Sequence, residues 1–238
     1  MNTKWLRKLL PEPVKRLLRP VKYRFFAKND LALEFWKSRH ELDNGHFRND
    51  YYEEIMLKLA MEESHDFIKG RIVADFGCGP RGSLCWAKEA YMRVGIDVLA
   101  DRYADEFRSD MLSHDMLYVK STEKTIPIPS NFIDIMFTLN AIDHVDNFEA
   151  MCREIIRVLK PGGEFLGSFN LEEPSNPYEP QRLSEKIIKE NLLVHMEVKS
   201  YRISFQGAKE NRYEPFFTDK LEYEPGKEGI LWVRATLL

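Results

Sequence analysis

Residues 73–84 read VADFGCGPRGSL. An apolar run leads into three glycines, Gly77, Gly79 and Gly82, in the pattern G-x-G-x-x-G, with Asp75 two residues before the first of them. Glycines at this spacing let a chain turn tightly and let other groups approach its backbone. After a buried strand, such a loop marks a nucleotide-binding α/β unit. Asp97 lies twenty residues after Gly77, where a carboxylate suits the hydroxyls of a ribose. To this point a nicotinamide dinucleotide and an S-adenosyl cofactor are served equally. Asp75 separates them: a carboxylate at the mouth of the loop repels a pyrophosphate and suits an ammonium and a sulfonium.

The rhythm around the loop is of strands alternating with helices. The strand expectations are 71–76, 93–98, 116–120, 133–139, 164–169, 194–205 and 230–237. Helices are expected over 31–39, 51–68, 84–91, 148–159 and 183–193, with Ser184 as an N-cap and Pro161-Gly162-Gly163 as a stop signal. The pattern implies an α/β protein: a Rossmann-like, seven-stranded, mostly parallel sheet flanked by helices, with an N-terminal helical extension. The glycine loop and Asp97 both fall at strand C-termini, where such sheets bind ligands. The loop is expected to open a helix whose first N–H groups are free.

Five blocks then resemble, in order, the motifs of the class I S-adenosylmethionine-dependent methyltransferases of the type 11 kind. They are VADFGCGPRGSL, GIDVLAD, IPIPSNFIDIMFTLNAIDHVDN, REIIRVLKPGGEFLGSF and RLSEKIIKENLLVHMEVKSYRI. The resemblance spans about residues 50–237 and implies S-adenosyl-L-methionine as cofactor. It implies that Asp75, Gly77, Cys78, Gly79 and Gly82 meet the methionine end and that Asp97 holds the ribose. Val98 and Leu99 would pack near adenine, and Leu139 and Asn140 would border the transferred methyl. Two departures stand out. The last glycine comes one residue late, after Pro80-Arg81, and Thr122 occupies a position where the family often has an acid that reads adenine. Thr122, Glu123 or backbone is left to hold the base.

Asp143 and His144 follow the fourth strand, and histidine is the side-chain type that exchanges protons near neutrality. They are the candidates for catalysis, His144 as a base for a hydroxyl acceptor; the alternative is that His144 only packs against its loop. Asn170, Glu172 and Glu173 follow the fifth strand and suit a polar acceptor or a solvated loop. Trp36, His46, Tyr51 and Tyr52 precede the first strand, as a lid or as core. Cys78 reads as small loop packing. Three cysteines without a C-x-x-C pair exclude a disulfide framework and a zinc site, and the six histidines are dispersed, so no metal is expected.

The formal net charge of −3 hides an asymmetry. Residues 1–28 hold nine of the 35 Lys and Arg and only Glu12 among the acids, a net +8 against −11 for the rest. An acidic body argues against nucleic-acid binding. The basic arm has leucines and valines at helical spacing, broken by Pro11, Pro13 and Pro20. It suits peripheral contact with an anionic membrane or packing on an acidic surface. No run approaches a membrane span and no secretory signal is legible, so the expected location is cytoplasmic, with peripheral contact at the inner face of a membrane. Residues 1–48 are expected as extension or lid and 49–238 as the methyltransferase domain. The expected activity is methylation of an oxygen on a small molecule or saccharide. A non-catalytic S-adenosylmethionine-binding regulator and a nicotinamide oxidoreductase are the alternatives.

Overall fold

The computed structural model describes residues 28–208 and 211–238. The basic arm, with its expected membrane contact, lies outside the described residues apart from Lys28. Helices α1 (Lys28–Leu42) and α2 (Tyr51–Ala60) lead into β1 (Ile72–Phe76) and β2 (Met92–Asp97). Helices α3 (Ala100–Glu106) and α4 (Arg108–Ser113) precede β3 (Leu117–Lys120) and β4 (Ile133–Leu139). Then come α5 (Phe148–Val158), β5 (Leu159–Leu171), α6 (Glu185–Asn191), β6 (Met196–Phe205), α7 (Glu214–Phe217) and β7 (Gly229–Leu237).

The seven strands order as β3-β2-β1-β4-β5-β7-β6. β7 runs antiparallel to both β5 and β6, and the other pairs are parallel. Strand order reverses between β1 and β4, and this opens the crevice in which α/β sheets bind ligands. Alternation along the central strands feeds two cores. Ala74, Phe76, Val94 and Ile96 face α5 and α6, while Val73, Ile135 and Phe137 face α2. Helix α5 supplies Phe148, Met151, Cys152, Ile155 and Val158, all buried, at helical spacing. The Asn147 side chain caps it by accepting from the Ala150 N–H at 2.8 Å. Ser184 caps α6 in the same way through the Ile187 N–H.

Three expectations need correction, and two helices were missed. Residues 84–91 form no helix. They form successive tight turns, with Cys85 N–H bonded to Gly82 C=O, Ala87 to Leu84 and Ala90 to Ala87. Eight residues make a marginal helix, and Leu84 and Ala87 are already held in the core. The helix expected over 51–68 stops at Ala60, where Met61 turns left-handed at φ 59°. Its last carbonyls are taken by arginines from distant strands: Arg202 reaches Lys58 O at 3.0 Å and Leu59 O at 3.1 Å, and Arg234 reaches Ala60 O. Pro161-Gly162-Gly163 does not separate helix from strand. α5 ends at Val158, and Leu159 already pairs with Ile133, so the turn residues form an irregularity inside β5. Helices α3 and α4 were not legible in the pattern. They pack Tyr103, Phe107 and Met111 against Leu33 and Phe47 of the N-terminal region. The extension thus shares a core with the domain it precedes.

Candidate active site

The loop after β1 is held by its own chain. Gly77 N–H and Cys78 N–H bond Ile96 O at 2.8 and 3.3 Å, and Gly79 N–H bonds Asp97 Oδ2 at 3.0 Å. Three successive N–H groups of the loop are thus committed to β2, and no helix follows it to offer the N-terminal cradle that suits a pyrophosphate. Gly77 and Gly79 both have positive φ. A Cβ on Gly77 would lie 2.2 Å from Ala141 Cβ, and one on Gly79 would lie 2.5 Å from the Trp36 ring. The glycines therefore admit other parts of the same protein, the loop after β4 and helix α1.

Asp75 is buried beneath this loop. One carboxylate oxygen accepts from Ser83 Oγ at 2.5 Å, and the other, Oδ1, has no partner. Burial pushes its pKa up to about 7; the Ser83 hydroxyl opposes the rise and the nearby Asp97 adds to it. Asp97 is also pushed up by burial, against the two N–H bonds it accepts from Leu99 at 2.9 Å and Gly79. Each Asp97 oxygen uses one lone pair on backbone and keeps another for a hydroxyl. An ammonium at the orphaned Asp75 oxygen and a diol at Asp97 are what the methionine amine and ribose of S-adenosylmethionine offer, so these residues fit that cofactor. Leu99 is buried with Val98 packed beside it in the same cluster as Trp36. Cys78 is buried, its thiol pushed up by desolvation, as loop packing requires.

Thr122 is exposed, and its hydroxyl accepts from Lys124 N–H at 3.1 Å and Thr125 N–H at 2.9 Å within its own turn. Glu123 points elsewhere: it pairs with Lys28 Nζ at 2.7 Å and accepts from Asp146 N–H at 3.2 Å. Lys28 also meets Asp146 at 2.7 Å and His144 O at 2.8 Å. One lysine at the start of α1 thus ties the loop after β3 to the loop after β4. Leu139 ends β4. Asn140, left-handed at φ 45°, donates Nδ2–H to the Tyr213 hydroxyl at 2.8 Å and accepts from Ser168 Oγ at 3.2 Å.

Asp143 and His144 sit in a single 3-10 turn after β4. His144 Nδ1 lies 3.2 Å from Tyr178 O, a carbonyl that can only accept, so Nδ1 carries the proton and Nε2 is bare in the neutral ring. Nε2 stands 3.9 Å from Asp143 Oδ1 and 4.0 Å from Glu179 Oε1. Those distances are ion-pair range, too long for hydrogen bonds. Asp143 is buried and pushed up by desolvation, with His144 opposing the rise, and accepts from Asn170 Nδ2 at 3.2 Å.

Among the aromatics expected as a lid, Trp36 lies on Gly79, whereas Tyr52 is buried and stacked on Tyr51 at 4.2 Å. His46 is exposed and stands 3.6 Å from Asp110, away from the loop. Arg81 holds Asp43 at 2.7 Å and lies within 6 Å of three rings, Trp36, Phe47 and Tyr51. Lys28, Tyr178, Glu179, Arg81 and Tyr213 were not read from the sequence as site residues. Only Lys28 carried a signal, as the end of the basic run. Among the described residues no cluster of His, Cys, Asp and Glu could hold a metal ion, and no helix is long and apolar enough to cross a membrane.

Residues 74–167 match the family model described as "Methyltransferase domain". A sterol 24-C-methyltransferase of Aspergillus fumigatus is 32% identical over 108 residues, covering 41% of this chain and 27% of that protein. A malonyl-[acyl-carrier protein] O-methyltransferase of Enterobacter lignolyticus is 30% identical over 92 residues, 38% of this chain and 36% of that one. The matches thus span 27% and 36% of those relatives, and the two differ in the atom they methylate. An S-adenosylmethionine-dependent methyltransferase from Mesorhizobium loti superposes with a TM-score of 0.54 at 17% identity, over 71% of this chain and 92% of that one, a likeness of fold. The family match over residues 74–167, the sheet order and the likeness of fold together give this chain a methyltransferase domain with the class I, S-adenosylmethionine-dependent fold.

Proposed function

We propose that the chain transfers the methyl group of S-adenosylmethionine to an oxygen of a small hydrophilic molecule, a saccharide in the reading we favour. The observation that carries the choice of oxygen is His144: its ring is fixed through Nδ1 on Tyr178 O, and its bare Nε2 faces the carboxylate of Asp143. A hydroxyl is a weak nucleophile until its proton is drawn away, and a neutral imidazole with a carboxylate beyond it does that.

S-adenosylmethionine, when bound, supplies a methyl carbon on a positively charged sulfur, which leaves with the electron pair as the new C–O bond forms. Asp97 holds the ribose hydroxyls with the lone pairs its backbone bonds leave free. Asp75 holds the ammonium at Oδ1. His144 takes the acceptor proton at Nε2, and Asp143 steadies the resulting imidazolium across the 3.9 Å gap. Trp36 covers Gly79, and Lys28 ties the loop after β3 to the loop after β4.

The test is release of S-adenosylhomocysteine from S-adenosylmethionine with a panel of glycosides, for wild type and His144→Gln. The variant should lose about 10²–10⁴-fold in turnover, the range a general base contributes. Its affinity for S-adenosylhomocysteine should not change. Turnover indifferent to His144→Gln would remove the base, and cofactor binding with no turnover on any acceptor would favour a regulatory protein instead.

A further inference from the structure

Behind His144 the end of β5 meets the turn after β4. Asp143 and Asn170 are 3% and 4% exposed and joined by a 3.2 Å hydrogen bond from Asn170 Nδ2 to Asp143 Oδ2. The second oxygen of the carboxylate, Asp143 Oδ1, and the amide oxygen, Asn170 Oδ1, have no partner. Turning the Asn170 amide over would set two acceptors face to face, so the bond itself fixes the orientation. Buried acceptors left unpaired are costly and few in folded proteins, and two on adjacent side chains at a strand C-terminus mark a place for a donor from outside the chain.

We propose that Asp143 and Asn170 form the anchoring subsite for the acceptor and take two neighbouring hydroxyls of an uncharged polyol, a vicinal diol such as a sugar ring carries. The inference rests on the methyl-transfer reading of this crevice and specifies its substrate class.

Two orphaned acceptors ask for two donors on one ligand, and adjacent hydroxyls provide them. Charge decides against a cationic acceptor. Each neighbouring carboxylate is already answered: Glu173 by Arg212 at 3.1 Å and Gln206 at 2.6 Å, Glu172 by Arg182 at 2.9 Å. Glu123 and Asp146 share Lys28. Glu179 accepts from Asn176 Nδ2 at 2.7 Å and lies 4.0 Å from His144. What remains is Asp143, whose Oδ1 lies 3.9 Å from His144 Nε2. A cation bound there would lie beside the imidazole that must itself take up a proton, whereas hydroxyls only donate to the free lone pairs. The amide of Asn170 is neutral in any case.

The test is saturation-transfer NMR on the full chain with methyl glucoside, methyl galactoside and methyl mannoside. Cyclohexanol serves as the single-hydroxyl control and cyclohexylammonium as the cationic one. Every ligand is measured with and without S-adenosylhomocysteine. At least one glycoside should bind roughly tenfold or more tightly than either control, the effect of completing hydrogen bonds at a buried site. Asn170→Leu should abolish that preference while S-adenosylhomocysteine affinity, read by calorimetry, is unchanged. Asn170→Ser, which keeps a polar atom in a smaller side chain, should weaken it and covers the case in which the leucine variant does not fold. Glycosides no better than cyclohexanol, signals from none of them, a preference for cyclohexylammonium, or a preference that survives both variants would overturn the subsite. Failure to bind S-adenosylhomocysteine would overturn the cofactor reading instead, and the arm without it still decides the diol.

Discussion

The loops after β1 and after β4 face each other across the crevice and are built on opposite terms. The first is nearly self-sufficient: its N–H groups bond Ile96 and Asp97, and the space beside its glycines is filled by Ala141 and Trp36. Of its polar side chains only Asp75 keeps an unpartnered oxygen. The second, with the end of β5 against it, is incomplete. Asp143 and Asn170 carry orphaned acceptors, and His144 presents a bare nitrogen. A loop that satisfies itself is pre-organised and binds at little reorganisation cost. A pair of buried groups that does not is poised for one kind of ligand. The cofactor side therefore reads as scaffold with one electrostatic hook, and the acceptor side as the part that discriminates.

Removing Asp97 should break the contrast most severely. Asp97→Ala strands the Gly79 and Leu99 N–H groups and takes away the carboxylate proposed to hold the ribose. Hydrogen bonds to a charged acceptor carry about 1.5–3 kcal/mol each. Calorimetric titration with S-adenosylhomocysteine should show on the order of a hundredfold loss or more, with a lower denaturation midpoint. Wild-type affinity in this variant would mean that the ribose is held elsewhere.

Gly79→Ala tests whether Trp36 is what the loop accommodates. The new Cβ meets the ring at 2.5 Å on a residue at φ 58°, and strain plus overpacking should cost about 1–3 kcal/mol in urea unfolding. Adding Trp36→Ala should relieve part of that cost. Strictly additive losses would show that backbone strain alone is responsible.

Asp75 sharpens the comparison through pH. Its folded pKa of about 7 lies above the ordinary 3.8, so the free folded protein binds a proton that the unfolded chain releases. That contribution to stability is full below the unfolded value and fades as pH rises through about 7. A ligand ammonium needs the ionised form, so affinity for S-adenosylhomocysteine should rise with pH, by up to about tenfold per unit, and level off above about 7. Asp75→Asn should flatten the profile. An equally steep profile in that variant would assign the proton to another group.

The smallest effect is expected at Lys28. Its partners Glu123 and Asp146 are 27% and 61% exposed at the side chain, and such pairs contribute under about 1 kcal/mol. Lys28→Met should weaken cofactor binding by no more than a few fold, and less at high salt. A loss comparable to that of Asp97→Ala would make α1 part of the binding site itself.

Much of the cofactor half was legible because its signals are local. Strand, glycines and Asp75 lie within a dozen residues, and Asp97 follows one strand later. The helix expected after the loop failed for a non-local reason, since Leu84, Ala87 and the tie from Gly70 N–H to Glu89 O hold that stretch in turns. The end of α2 was hidden for the same kind of reason, as the arginines on its last carbonyls stand more than 140 positions away. On the side proposed for the acceptor, His144, Asp143 and Asn170 were singled out as residue types. Their relation was not, because Tyr178 O, which sets the histidine tautomer, is 34 positions from His144, and Asn170 is 27 from Asp143.

By itself the sequence determined an alternating α/β chain, a glycine loop with an acid before it, and a carboxylate one strand later. Periodicity and steric need are written in neighbouring residues. Only the tertiary structure decided which of those groups remain unsatisfied. Whether a buried oxygen has a partner depends on chain segments brought together by the sheet, and here the sheet leaves Asp75, Asp143 and Asn170 each with one oxygen to fill.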